Sequence, residues 1–217
     1  MKLEYLIFNL VIFISPFVAY LFYPQLIFAL NIKTLISISL SSFIFVLHDI
    51  LVTNKWWYFN KKYILGFRIF NLPIEEIIFF FSVSLSCLTI YLNLLFLKTN
   101  TNQYLFLFPF IIFIVYFYIC LRYNKPYIKT FFIFYLFLIF FDFFIAKTKL
   151  IVNFKFIIFL IIVFVLTLIF NYYLTRRQIV LYNKKIITGV KILTIPIEDF
   201  LYGITFIYLV TIIYHFL

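Results

Sequence analysis

Seven apolar runs, each near the length of a membrane span, decide most of what this chain can fold into. They cover about residues 4–22, 30–48, 74–96, 104–121, 130–146, 154–174 and 197–216. A helix needs roughly 20 apolar residues to cross the hydrocarbon core of a bilayer. With 67% of its 217 residues hydrophobic, a soluble domain would have nowhere to bury them. Lipid offers no water to backbone N–H and C=O groups, so the runs must pair them internally, as helices or as a closed barrel. The strict polar–apolar alternation of a barrel strand is absent. The expectation is an all-α integral membrane protein with about seven transmembrane helices. The first run follows Lys2, lacks a small-residue cleavage site, and reads as a retained span rather than a signal peptide.

The formal net charge of +11 raises the question of nucleic acid, and the positions of the charges answer it. The N-terminus and the loops 49–73, 122–129 and 175–196 hold 13 of the 18 basic residues. Lys33, Lys98, Lys147, Lys149 and Lys155 are left for the other side. The excess of Lys and Arg predicts a multi-pass protein of the cell membrane, with its N-terminus and two long basic loops in the cytoplasm. Binding of anionic lipid headgroups is a secondary use of that charge, and no nucleic-acid partner is expected. Cys87 and Cys120 fall inside apolar runs and read as packing residues.

Sliding the chain by 123 positions lays "YFNKKYILGFRIFNLPIEE" (58–76) over "LYNKKIITGVKILTIPIED" (181–199) without a gap. Nine of nineteen positions are identical, including Asn60/Asn183, Gly66/Gly189, Pro73/Pro196 and Glu75/Glu198, while Arg68/Lys191 and Glu76/Asp199 keep their charge. Compositional drift toward Lys, Asn and Ile does not place Gly, Pro and an acid pair in register, so the chain reads as a duplication. The expected organisation is a three-span repeat over 1–97, a linking span over 98–127 and a second three-span repeat over 128–217. Three spans plus one is an even number, so both repeats enter the membrane in the same direction, as parallel repeats.

Locally, Asn60 and Asn183 suit a turn and are available for a positive φ. Gly66 and Gly189 permit a tight bend. Pro73 and Pro196 suit the first helical position, which puts Glu75 and Glu198 near the free N–H groups and positive end of a helix. Helix initiation alone accounts for that first acid of each pair. It accounts less well for Glu76 and Asp199, one residue deeper. Adjacent acids at a membrane mouth repel and lose hydration, which favours the neutral acid, and ionisable groups within a membrane mark function. A carboxylic acid kept neutral is a general acid, suited to protonating an unactivated double bond.

Asp49, after His48, reads as a polar end of the second span near the same rim. Asp142 lies near a span end on the opposite side, with Lys147 or Lys149 as its expected partner, and reads as structural; His215 reads as incidental. The chain has no Gly-rich dinucleotide fingerprint or P-loop, no serine elbow or HExxH, and no Asp-rich pair to hold Mg²⁺ and a diphosphate. Two His and two Cys argue against a metal or haem oxidase.

The segments "HDILVTNKWWYFNKKYILGFRIFNLPIEEIIFF" and "YNKKIITGVKILTIPIEDFLYGITF" resemble the two halves of the membrane-integral lycopene β-cyclase family. That family occurs as two small bacterial subunits, as a fused chain, and as the cyclase half of fungal bifunctional carotenoid enzymes. The resemblance covers nearly the whole chain and implies a redox-neutral, acid-catalysed cyclisation of lycopene or a related linear carotene to β-ionone rings. By it, Glu75, Glu76, Glu198 and Asp199 are the candidate catalytic residues. Asp49, Trp57, Asn60, Gly66, Arg68, Pro73, Asn183, Gly189, Lys191 and Pro196 are the candidate substrate-binding or supporting residues. No cofactor and no metal is expected, with a requirement for reduced flavin or NAD(P)H left open. The expected partners are the carotene and the bilayer, with other membrane enzymes of carotenoid synthesis as candidates. A small proton-coupled transporter and a non-catalytic carotenoid- or lipid-binding scaffold are the competing readings. Glu75→Gln or Glu198→Gln separates them at this level, since a cyclase loses product and a scaffold tolerates the change.

Overall fold

A computed structural model describes residues 2–26, 29–96 and 107–217. Seven helices follow in chain order: α1 (Glu4–Phe22), α2 (Ile32–Val52), α3 (Ile74–Phe96), α4 (Leu107–Tyr123), α5 (Pro126–Phe140), α6 (Phe154–Arg176) and α7 (Ile197–Phe216). A π turn, Phe141–Ile145, continues α5. Among the described residues six helices are long and apolar enough to cross a membrane, all but α4. Residues 98–103 of the expected linker and 104–106 of its span lie outside the described residues.

Two boundaries differ from expectation. α2 runs on to Val52, past the expected end at 48, and so takes His48 and Asp49 into its last turns. Its start is fixed at Asn31, whose side chain accepts the Thr34 N–H. α5 starts at Pro126, ahead of the expected 130, because a first-turn proline loses no hydrogen bond and the Tyr127 and Ile128 that follow are buried.

The shift that aligns the two sequence blocks also aligns the elements. It carries α1 onto α5, α2 onto α6 and α3 onto α7. In each unit the third helix packs against the first and second, so α1 and α2 lie on α3, and α5 and α6 lie on α7. Across the units α2 packs on α7, α6 packs on α3, and α3 meets α7 at the centre.

Each unit carries the same loop between its second and third helices. In the first it holds β1 (Trp57–Phe59), β2 (Arg68–Ile69) and β3 (Leu72–Pro73); in the second, β4 (Val180–Tyr182), β5 (Lys191–Ile192) and β6 (Ile195–Pro196). β2 pairs with β3 and β5 with β6, Arg68 facing Pro73 and Lys191 facing Pro196. β1 and β4 pair with each other, antiparallel, with Tyr58 opposite its own repeat equivalent Leu181. The Asn60 N–H donates to the Ile179 carbonyl at 2.9 Å, and the Asn183 N–H to the Trp56 carbonyl at 2.8 Å, one bond made twice. The cross-repeat strand pair thus sits on a local twofold and ties both loops together at one pole. The Tyr5 N–H joins that pole through the Tyr63 carbonyl at 3.1 Å, and Lys125 through the Lys185 carbonyl at 3.0 Å. The basic segments that the sequence groups on one side gather there.

Gly66 and Gly189 hold φ of 101° and 85°. A Cβ at either would meet nothing within 4 Å, so conformation and not space requires the glycine. The asparagines differ from expectation. Neither takes a positive φ; the Asn60 and Asn183 side chains instead accept the N–H groups of Lys62 and Lys185, a side-chain-built turn. The prolines differ too. Pro73 and Pro196 are extended residues of the hairpins, because a ring-fixed φ near −60° suits an extended residue as well as a helical one. The helices begin one residue later, at Ile74 and Ile197, whose N–H groups donate back to Phe67 and Val190.

Candidate active site

Each acid pair sits in the first turn of a central helix, and its two members, about 100° apart, do different things. Glu75 Oε1 accepts the Leu65 N–H at 2.5 Å, and Glu198 Oε1 accepts the Thr188 N–H at 2.5 Å. Leu65 and Thr188 are repeat equivalents, each just before the positive-φ glycine. The first acids therefore hold the loop down onto the helix start. Gln at either position keeps an acceptor oxygen, so Glu75→Gln and Glu198→Gln are expected to retain most ring-forming activity. Glu75→Ala and Glu198→Ala leave that N–H without its partner and are expected to cost roughly 1–3 kcal/mol of stability. Thermal unfolding in detergent beside pigment conversion checks both halves of this.

The second acids turn the other way, into a cavity of about 120 Å³ between the repeats. Glu76 and Asp199 both line it, and so does Asp49 from the end of α2. Asp49 and Asp199 are almost fully buried, and Glu76 is partly so. Each acid is met by tyrosine. Tyr5 donates its hydroxyl to Glu76 Oε2. Tyr127 donates to Asp199 Oδ1 at 3.0 Å and Tyr182 to Asp199 Oδ2 at 2.5 Å. Tyr202 donates to Asp49 Oδ1 at 2.9 Å, and His48 Nδ1 lies 3.0 Å from the same oxygen. A buried carboxyl without such partners would be costly. The rest of the wall is largely apolar and aromatic, with Trp57, Phe59, Phe79, Phe170 and Phe206. The Trp57 ring stands 5.4 Å from Tyr127 and 6.1 Å from Tyr202, centroid to centroid.

The frame is symmetric and the equipment is not. Under the repeat, Asp49 corresponds to Tyr172, Tyr202 to Phe79, and Tyr182 to Phe59. The third acid and its tyrosine therefore exist once, at a seam built from both units.

Of the supporting residues, Asp49 and Trp57 line the cavity. Asn60, Gly66, Arg68, Pro73, Asn183, Gly189, Lys191 and Pro196 shape the loops around it, Arg68 by donating to the Asn71 carbonyl at 2.6 Å. Asp142 stands at the opposite pole. Its partners are the hydroxyls of Thr148 and Tyr208 and the Ile151 N–H, in place of the expected Lys147 or Lys149. Both lysines hold a positive φ, in a turn that brings Thr148 between them back onto the acid. His215 Nε2 is bonded to the Tyr91 hydroxyl at 2.8 Å, also away from the cavity. Among the described residues no cluster of His, Cys, Asp and Glu is placed to hold a metal ion.

The four phenols and His48 are absent from the sequence-derived site. Only Tyr182 carries a visible signal, as a Tyr against Phe inside the aligned block; the others are diluted among 18 Tyr and 35 Phe.

A family model described as lycopene cyclase matches residues 3–94 and 124–217, one segment on each repeat. The chain belongs to the lycopene cyclase family. No curated protein and no solved structure matches it. The matched segments contain every cavity residue named above. The stretch between them holds the whole of α4, none of whose described residues lines the cavity. Family membership makes this lycopene cyclase relative a membrane carotenoid cyclase.

Proposed function

We propose that the chain closes β-ionone rings on the linear ends of lycopene, with γ- and β-carotene as products and no net redox change. The observation that carries this reading is the juxtaposition of three carboxyl groups with a largely apolar wall rich in aromatic rings, at the seam of the two repeats. Glu76 acts as the acid. One of its oxygens is engaged by Tyr5, and it is the least buried of the three acidic residues that line the cavity. Its proton goes to the terminal double bond, leaving a tertiary cation. The next suitably placed double bond attacks that cation, a carbon–carbon bond closes the six-membered ring, and the charge moves to a ring carbon. Asp199 acts as the base. Both its oxygens accept phenol hydroxyls, the pattern of an ionised, acceptor-only carboxylate. It takes a ring proton, and the electrons of that C–H bond form the ring double bond.

One proton is given and one is taken, so no electron carrier enters the balance. Asp49, with Tyr202 and His48, is the third proton-holding group in the cavity, and through it acid and base return to their starting states. The faces of Trp57 and its neighbours stabilise the passing cation, and the apolar wall keeps water from capturing it. The carotene enters from the bilayer. The basic pole, and with it the acids, lies at the cytoplasmic face by the distribution of Lys and Arg.

Membranes of a lycopene-accumulating bacterial host that expresses the chain are the test. Chromatography should show γ- or β-carotene appearing as lycopene falls. Unchanged lycopene, with the chain present and folded in the membrane, overturns the proposal.

A further inference from the structure

Ring closure leaves a choice that acid catalysis alone does not make. The cyclised cation carries removable hydrogens on three neighbouring carbons. Loss from the ring carbon that bears the polyene gives the β-ring, loss from the ring methylene gives the ε-ring, and loss from the methyl group gives the exocyclic γ-ring. In each case the C–H electron pair becomes the double bond and the proton passes to the base. The three hydrogens lie close together, so a base selects among them only if it is held still.

Asp199 is held from two sides. Tyr127, on α5, fixes Oδ1, and Tyr182, on β4, fixes Oδ2. Anchors from two separate elements set both the position and the plane of the carboxylate. Glu76, its counterpart, has one phenol, Tyr5, and one more methylene. The residue equivalent to Tyr182 is Phe59, which has no hydroxyl and instead stacks on Tyr5 at 6.3 Å and 18°. The second anchor therefore belongs to one repeat only, although Phe59 and Tyr182 stand on paired strands at equivalent places. A role in folding gives no reason for this difference, since Phe59 fills its own site and is buried without the oxygen.

We infer that Tyr182 is a specificity-determining positioning residue, whose hydroxyl holds the Asp199 carboxylate against one of the three hydrogens and so sets which ring isomer forms. The inference rests on the cyclase reading above. Its readout, the ratio of isomers, is one that a purely structural role would not move.

The experiment compares wild type, Tyr182→Phe and Asp199→Glu in lycopene-accumulating membranes, with chromatographic separation of β-, ε- and γ-ring products. Wild type should give one dominant isomer. In Tyr182→Phe its ratio to the other two should fall about tenfold, the size expected from one charge-assisted hydrogen bond. Total ring formation should fall less than that. Asp199→Glu moves the carboxylate by one methylene and should also mix the isomers. It decides the question if Tyr182→Phe does not accumulate in the membrane. An unchanged isomer ratio in a folded variant overturns the inference, as does loss of all rings from folded Tyr182→Phe with no new isomer. Failure of wild type itself to form any ring overturns the cyclase reading, and the inference falls with it.

Discussion

Glu76→Gln is expected to stop ring formation while the chain still accumulates in the membrane. Gln has nearly the shape of Glu, and its amide oxygen can still accept the Tyr5 hydroxyl, so the first turn of α3 keeps its cross-helix bond. What it lacks is a proton to give. Loss of a positioned general acid costs about 10²–10⁴-fold in rate. An unactivated double bond gives water little chance to substitute in an apolar cavity, which favours the upper part of that range. The informative control is the neighbouring residue. Glu75→Gln removes the same charge one position away, yet the Glu75 carboxyl faces the Leu65 N–H and not the cavity. Pigment chromatography normalised to membrane protein should therefore separate two adjacent, chemically alike substitutions by at least two orders of magnitude. Wild-type conversion by Glu76→Gln would remove Glu76 as the acid and leave Asp49 next in line.

The structure shifts the weight within each acid pair. From the sequence, Pro-Ile-Glu-acid marks a helix start and a pair of carboxyl groups, and the repeat marks them twice. Which member faces a cavity depends on the rotation of the first helical turn. That rotation is set by a prolyl residue that stays extended in a hairpin, and so by partners (Phe67 and Val190) that no local pattern names. Asp49 is a different case. As the end of an apolar run it reads as an interfacial group, and only the continuation of α2 to Val52 brings it under Tyr202 of the other repeat.

The fold itself was far more legible, for a physical reason. Span length and the repeat are properties of long stretches, and lipid leaves the backbone few alternatives. The cross-repeat pair β1–β4 was not legible in the same way. Three residues per strand carry too little alternation to announce a strand. The pairing follows from bringing two equivalent loops together about a twofold. The same holds for the tyrosines. In a chain with 25% aromatic residues a functional phenol looks like any packing ring, and only the carboxylate beside it tells them apart.

Asp199→Asn is the second substitution expected to cost about 10²–10⁴-fold, by removing the base in place of the acid. The amide fits the same space. One phenol can go on donating to its oxygen while the other turns to accept from its NH₂ group, so neither Tyr127 nor Tyr182 need lose a partner. The two losses should differ in what they leave behind. Without the acid no cation forms, and lycopene recovered from membranes incubated in deuterated water should be unlabelled. Without the base Glu76 can still give its proton, and the cation that finds no base can return one to Glu76. Each such round trip exchanges a hydrogen with a group that itself exchanges with solvent. Lycopene recovered from Asp199→Asn should therefore carry deuterium at its ends, read by mass spectrometry, although few rings form. Label in the Glu76→Gln sample and none in the Asp199→Asn sample would exchange the two roles between the repeats. Label in both would place the first proton transfer on Asp49.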